Sequence, residues 1–322
     1  MSVKKSKTKS SSNSLESGAQ TILHLMKVDP LDKVLIVTDT KMLKIGKAIF
    51  DEARKINLNS VMLVMEPATR SGEEPPEVVA HTMKNANVII APTFRSLTHT
   101  KATKDARKAG ARVATLPEVP EFSFTQGGLT ADYTQVEKLT MRMHNAMKGS
   151  KKVSVKSKSG SDFSFSTSGR EWVADTGIIH KSGDWGNLPA GEVFCAPIED
   201  SVNGKIVFDS FYLSDGRCEL VVKDGKVVEV KGKADKLLRA FDELGEKARQ
   251  IAEFGIGTNP SAKVIGNTLE DEKVMDTVHV ALGNNVGFGG TNDVQFHYDG
   301  IIEEPTVEVD GRLVIRSGKW LV

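Results

Sequence analysis

Four short apolar runs, spaced by segments of helical periodicity, constrain the first third of this chain more than any other feature. Lys33-Val34-Leu35-Ile36-Val37-Thr38 and the runs at 60–65, 87–91 and 111–115 are too short for helices and lack polar alternation, as strands buried on both faces do. Between them, residues 39–53, 77–84 and 96–109 read as helices, and another over 19–28 precedes the first run. Alternation at this spacing specifies a doubly wound parallel sheet. An amphipathic segment over 131–147 reads as the helix leading out of it.

The pattern then changes. Residues 153–156, 162–166, 205–213 and 218–230 read as strands, with hairpin turns at Asp215-Gly216, Asp224-Gly225 and Asp310-Gly311 and one long helix over 234–252. The expected fold class is α/β: an N-terminal doubly wound parallel sheet followed by an α+β half with mostly antiparallel strands. The expected division is a disordered basic tail over 1–18, a flavodoxin-like domain over 19–147 and an α+β metal-binding domain over 148–322. The tail's four lysines and seven serines leave little to bury.

Several function classes are disfavoured. Lysine and arginine number 43 against 42 aspartates and glutamates, so charge gives no reason to expect a nucleic acid or an anionic membrane as partner. No apolar run approaches the ~20 residues that span a bilayer. Two cysteines, Cys195 and Cys218, are too few for a disulfide framework and fit a reducing, cytoplasmic location. Neither a Gly-x-Gly-x-x-Gly turn nor a Walker loop follows any of the four strands, which disfavours a nucleotide. Ligand contacts are still expected at the carboxyl edge of such a sheet, where Arg95, Ser96, Thr98 and His99 follow the third strand.

Four segments of the second half carry metal-ligand chemistry. Glu192 lies between a Pro-Ala-Gly turn and an apolar strand, where a carboxylate must be exposed, paired or coordinated. Glu253 follows the expected long helix and precedes Gly255 and Gly257. His279 stands in the apolar strand Val278-His279-Val280-Ala281-Leu282. In His297-Tyr298-Asp299 the strand period of two puts imidazole and carboxylate on one face. Two glutamates, two histidines and an aspartate make the ligand inventory of a paired-metal hydrolase. His279, His297 and Asp299 alone also make a two-His-one-carboxylate triad for ferrous iron. Both routes are metal-dependent, and the ligand types do not choose between them.

Leu188-Pro-Ala-Gly-Glu-Val-Phe-Cys-Ala-Pro197, Glu253-Phe-Gly-Ile-Gly257, Leu269-Glu-Asp-Glu-Lys273, His279-Val-Ala-Leu-Gly283 and His297-Tyr-Asp299 resemble, in order, the metal-site segments of the aminopeptidase T family. The resemblance implies a thermophilic-type leucyl aminopeptidase fold and a metal-activated water that removes N-terminal residues from peptides. It implies Glu192, Glu253, His279, His297 and Asp299 as ligands of zinc, cobalt or manganese, with Glu192 or Glu253 serving as general base. His99, Asn259 and Asn284 are the candidate substrate contacts, the partner is a small peptide or other small molecule, and a homodimer is implied. One departure stands out: Val286 occupies the position where those peptidases carry a tyrosine. The alternative is a related fold member, the dihydroxypyridine ring-cleaving dioxygenase, which holds one iron through two histidines and an aspartate. A member whose metal is only structural is the third reading.

Overall fold

The computed structural model describes residues 14–322. The expected tail over 1–18 therefore falls mostly outside the described residues, but its last residues are helical. Ser14 caps the helix Leu15–Leu25 reciprocally with Ser17, and Gly18 packs flush on Phe124.

The expected parallel strands form at Val34–Asp39, Val61–Met65, Val88–Ala91 and Arg112–Thr115. Counted along the chain they assemble in the order 2-1-3-4-5, all parallel. Alternation sends Val34, Ile36, Val88, Ile90 and Ala114 into one core and Leu35, Val37, Ile89, Ala91 and Val113 into the other. Both faces are thus covered over the central strands, and that burial selects their apolar runs, whereas the edge strand Val61–Met65 keeps its run with Val61 and Val64 exposed. The fifth strand is Trp185–Asn187, drawn from beyond residue 147. Three residues with no apolar pattern gave no sequence signal for it.

The rest is antiparallel. An eight-stranded sheet takes in Lys152–Lys156, Asp162–Ser166, Asn203–Phe208, Cys218–Lys223 and Lys226–Gly232 as well as the C-terminal hairpin Thr306–Val309 with Arg312–Arg316. Its turns at Asp224-Gly225 and Asp310-Gly311 have positive φ at both residues, the geometry that matches strand twist. A six-stranded sheet orders Ser210–Phe211, His297–Ile302, Val278–Gly283, Ile251–Gly257, Glu192–Cys195 and Val173–Asp175 edge to edge. Val193, Cys195, Phe254, Ile256, Val278, Val280 and Leu282 bury its inner face in the larger core. Both cysteines are buried and free.

Two expected helices are shorter than the periodicity suggests. The helix expected over 234–252 stops at Leu244, because Gly245 takes φ 69° and turns the chain. Glu253 therefore sits inside a central strand, not beyond a helix end. The helix expected from 96 begins at Lys101 behind an N-cap at Thr100, which leaves Ser96, Thr98 and His99 in a loop at the sheet edge. Among the described residues, no helix is long and apolar enough to cross a membrane.

Candidate metal centre

Glu192, Glu253, His279, His297 and Asp299 stand on four neighbouring strands of the six-stranded sheet. Register places them on one face: Gly257 pairs with Glu192, Gly255 with His279, Glu253 and Asp299 each with Ala281, and His297 with Gly283. The positions opposite the ligands are glycine or alanine, so the ligand side chains meet above a floor of bare backbone. Alternation with Phe254 and Ile256, which enter the core, puts Glu253 on this face just after a bulge at the Ile251/Glu253 step. Gly255 is required outright, since a Cβ there would overlap the His279 ring.

The atoms converge as two sets that share one carboxylate. His279 Nε2 lies 3.3 Å from Glu192 Oε2 and 3.4 Å from Glu253 Oε1. His297 Nε2 lies 3.5 Å from Glu253 Oε2 and 3.6 Å from Asp299 Oδ2. Ligands of a tetrahedral ion at about 2.1 Å stand roughly 3.4 Å apart, so these spacings suit coordination. His297 Nδ1 donates to the Asn284 carbonyl at 2.8 Å, which fixes the tautomer and leaves Nε2 its lone pair.

Electrostatics point the same way. Glu192 Oε2 and Asp299 Oδ1 are buried with no hydrogen-bond partner. Burial pushes the Glu253 carboxyl up to about 7, and burial together with the Glu253 charge does the same for Asp299. Carboxyls that resist ionisation here are groups short of positive charge, which a divalent cation would supply. A carboxyl raised in the folded state binds its proton more tightly there than in the unfolded chain. Without metal, stability from these two groups therefore falls as pH rises from their ordinary range near 4 to about 7. Metal replaces those protons. The rise in Tm on adding metal is expected to grow between pH 5 and pH 8, as measured by melting with metal and with chelator; a pH-independent rise would contradict these carboxylates as ligands.

Three further groups, not singled out in the sequence, belong to the site. Lys273 is buried, with its ammonium 2.5 Å from Glu192 Oε1 and 2.7 Å from Glu272 Oε1. Burial works against the ammonium, but Glu192, Glu272 and Asp175 hold its pKa well above the usual value. Asp175 pairs directly with Glu192 across the sheet, and burial raises it to about 6. The acidic segment ending in Lys273 was visible as a motif, but a lysine among acids reads as a solvated turn until the fold buries it.

The expected substrate contacts divide. His99 stands exposed at the mouth, its ring edge-on to Trp185 at 5.8 Å, and desolvation by the groups around its ring lowers its pKa to about 4. Thr98 is spent on the framework, bonded to Thr115 at 2.8 Å and to Asn187 at 3.3 Å. Asn284 holds its own loop, donating to Asp293 and Val294 and accepting from Val286. Asn259 is a correction. Its amide donates to the carbonyls of Gly128 (3.1 Å) and Ala190 (2.8 Å) and accepts from the backbone of Ser261 (3.0 Å) and Ala262 (3.3 Å). All four of its bonding positions are used, so it staples three segments and has none left for a substrate. Asn259→Ala is expected to cost about 3 kcal/mol in denaturant unfolding; an unchanged midpoint would refute the staple.

The access side is aromatic. His297 is the only ligand with appreciable side-chain exposure, 34%. Phe288 meets it edge-on at 6.0 Å and meets Phe194 at 5.5 Å. Phe288 rides on the glycine-rich loop after the third site strand, with Val286 exposed beside it.

A doubly wound parallel sheet beside an antiparallel sheet that carries five such side chains is the fold of the aminopeptidase T superfamily. Within that superfamily the chain belongs to the 2,5-dihydroxypyridine 5,6-dioxygenase (NicX) family, whose sequence profile matches residues 16–322. The 2,5-dihydroxypyridine 5,6-dioxygenase of Pseudomonas putida is 24% identical over 244 residues, covering 69% of this chain and 68% of that protein. Aminopeptidase 2 of Geobacillus stearothermophilus is 27% identical over 173 residues, but the match spans only 42% of this chain and 40% of that protein. Two solved structures share the fold. The P. putida KT2440 dioxygenase superposes with a TM-score of 0.77 at 19% identity over 96% of this chain and 97% of that one. AmpT from Thermus thermophilus gives 0.71 at 18% identity over 96% and 99%. The relatives are enzymes, of two different kinds.

Proposed function

We propose that this protein is a ring-cleaving dioxygenase for a small hydroxylated aromatic or heteroaromatic compound, using one iron(II) ion held by His279, His297 and Asp299. The carrying observation is that His279, His297 and Asp299 stand on one face of the six-stranded sheet, joined through Glu253, beside an access side lined by Phe194, Phe288, Trp185 and neutral His99. Flat apolar walls suit a planar ring, whereas an extended peptide needs backbone partners along its length. Family membership and the longer match to the dioxygenase support the same reading.

Bound iron(II) would supply the one-electron chemistry that a closed-shell ring needs to react with dioxygen. The chain's own residues do the rest. Phe194 and Phe288 stack against the ring and exclude water. Glu253, between the two imidazoles, is the group placed to take the proton of a ring hydroxyl. His99, uncharged at neutral pH, presents a hydrogen-bonding edge from the parallel-sheet side.

The hydrolase expectation becomes the second reading. It is favoured by Glu253, whose two oxygens face separate ligand sets as a carboxylate bridging two ions would. Metal analysis of purified protein, with oxygen-electrode assays on dihydroxypyridines and catechols and a peptide screen, tests both. The proposal expects iron and oxygen uptake matched to loss of ring absorbance. Two zinc or cobalt ions with amino-acid release would overturn it in favour of the hydrolase.

A further inference from the structure

Lys273 takes no part in the chemistry described above, yet it is among the most deeply buried side chains of the protein. A buried lysine without a partner is costly, so its position calls for a cause. The fold goes to some length to seat it. The turn carrying Lys273 and Val274 lies so close to the site sheet that a Cβ on Gly257 would overlap the Val274 carbonyl. Gly257 is the residue paired with Glu192, so the absent side chain is what lets the lysine reach that carboxylate. The backbone there is tied down as well, since the Lys273 carbonyl accepts from Asn259 N at 2.9 Å.

Asp175 and Glu192 stand directly opposite each other on adjacent strands, and like charges in that relation repel. Glu272 brings a third carboxylate to the same ammonium. In many metal centres such a set gathers a divalent ion. Here the positive charge is covalently built in, and it takes Glu192 Oε1, leaving only Oε2 turned toward His279.

We propose that Lys273 is a resident cation standing in for a second metal ion, and that it holds this site to a single ion per chain. The proposal rests on the one-ion reading of function. Lys273 is a positioning and selectivity residue: it acts on Glu192 and touches neither substrate nor metal. Its removal leaves Asp175, Glu192 and Glu272 beside His279 and Glu253 with no counter-charge, and a second divalent ion enters.

The test is anaerobic equilibrium dialysis of the full-length protein against iron(II), and separately cobalt(II), followed by metal analysis. Wild type and Lys273→Arg are expected to hold one ion per chain and Lys273→Met two. Lys273→Met that folds and still holds one ion would overturn the proposal while leaving the one-ion reading intact. Wild type holding two ions would overturn both. Should Lys273→Met fail to fold, Lys273→Gln decides, since it removes the charge but keeps a hydrogen-bonding group beside Glu192. Two ions per chain in that variant are expected, and one ion would overturn the proposal.

Discussion

Replacing His297 or Asp299 by alanine is expected to lower metal affinity by at least about 100-fold, since losing a direct ligand exceeds the 10–100-fold typical of an outer-shell change. Stability should move the other way for Asp299. Its carboxyl is buried with Oδ1 unpartnered and its pKa raised by burial and by the Glu253 charge, so the metal-free protein bears a burden there. Asp299→Asn should therefore match or exceed wild type in Tm without metal while losing the rise that metal gives wild type. A structural carboxylate would behave oppositely, its loss lowering Tm whether or not metal is present. Calorimetry of both proteins with and without iron(II) separates the cases.

The second large effect is predicted for a residue with no side chain. Gly255 pairs with His279, and the imidazole crosses directly over it to reach the two glutamates. An alanine methyl would overlap the ring, and the neighbouring positions are fully buried, leaving little space for relief. Gly255→Ala is expected to swing His279 away, lowering metal affinity roughly 10–100-fold and stability by about 1–3 kcal/mol through overpacking. Gly257→Ala is the informative contrast, because its methyl would meet the Lys273–Val274 backbone instead of the ring. Metal titration showing the two variants alike would refute the separate roles given to the two glycines.

What the sequence discloses and what it hides divide along physical lines. Three of the first four parallel strands are readable because burial on both faces demands continuous apolar runs, as in Val34–Asp39, while the edge strand Val61–Met65 carries such a run with Val61 and Val64 exposed. The two positive-φ hairpins are readable because Asp-Gly tolerates that backbone. The five ligands are readable by residue type, and His297 with Asp299 by the strand period, but their convergence is not. It depends on register between strands more than a hundred residues apart in the chain, such as those of Glu192 and His297. Trp185–Asn187 is hidden because three residues have no period. Lys273 and Asp175 are hidden because a charged side chain signals solvent until its partners are known. Asn259 misled for the opposite reason: a polar residue beside glycines suggests a substrate contact, whereas here its amide is used up bonding backbone.

The central claim is that one face of the six-stranded sheet holds a metal ion between these side chains. Crystals grown and soaked anaerobically in iron(II), with diffraction recorded at the iron absorption edge, locate the ion directly. One anomalous peak per chain is predicted, about 2.1 Å from His297 Nε2 and from an Asp299 carboxylate oxygen, with the Lys273 ammonium still on Glu192. A map with no peak among these five residues, or with its peak elsewhere on the chain, would contradict the account.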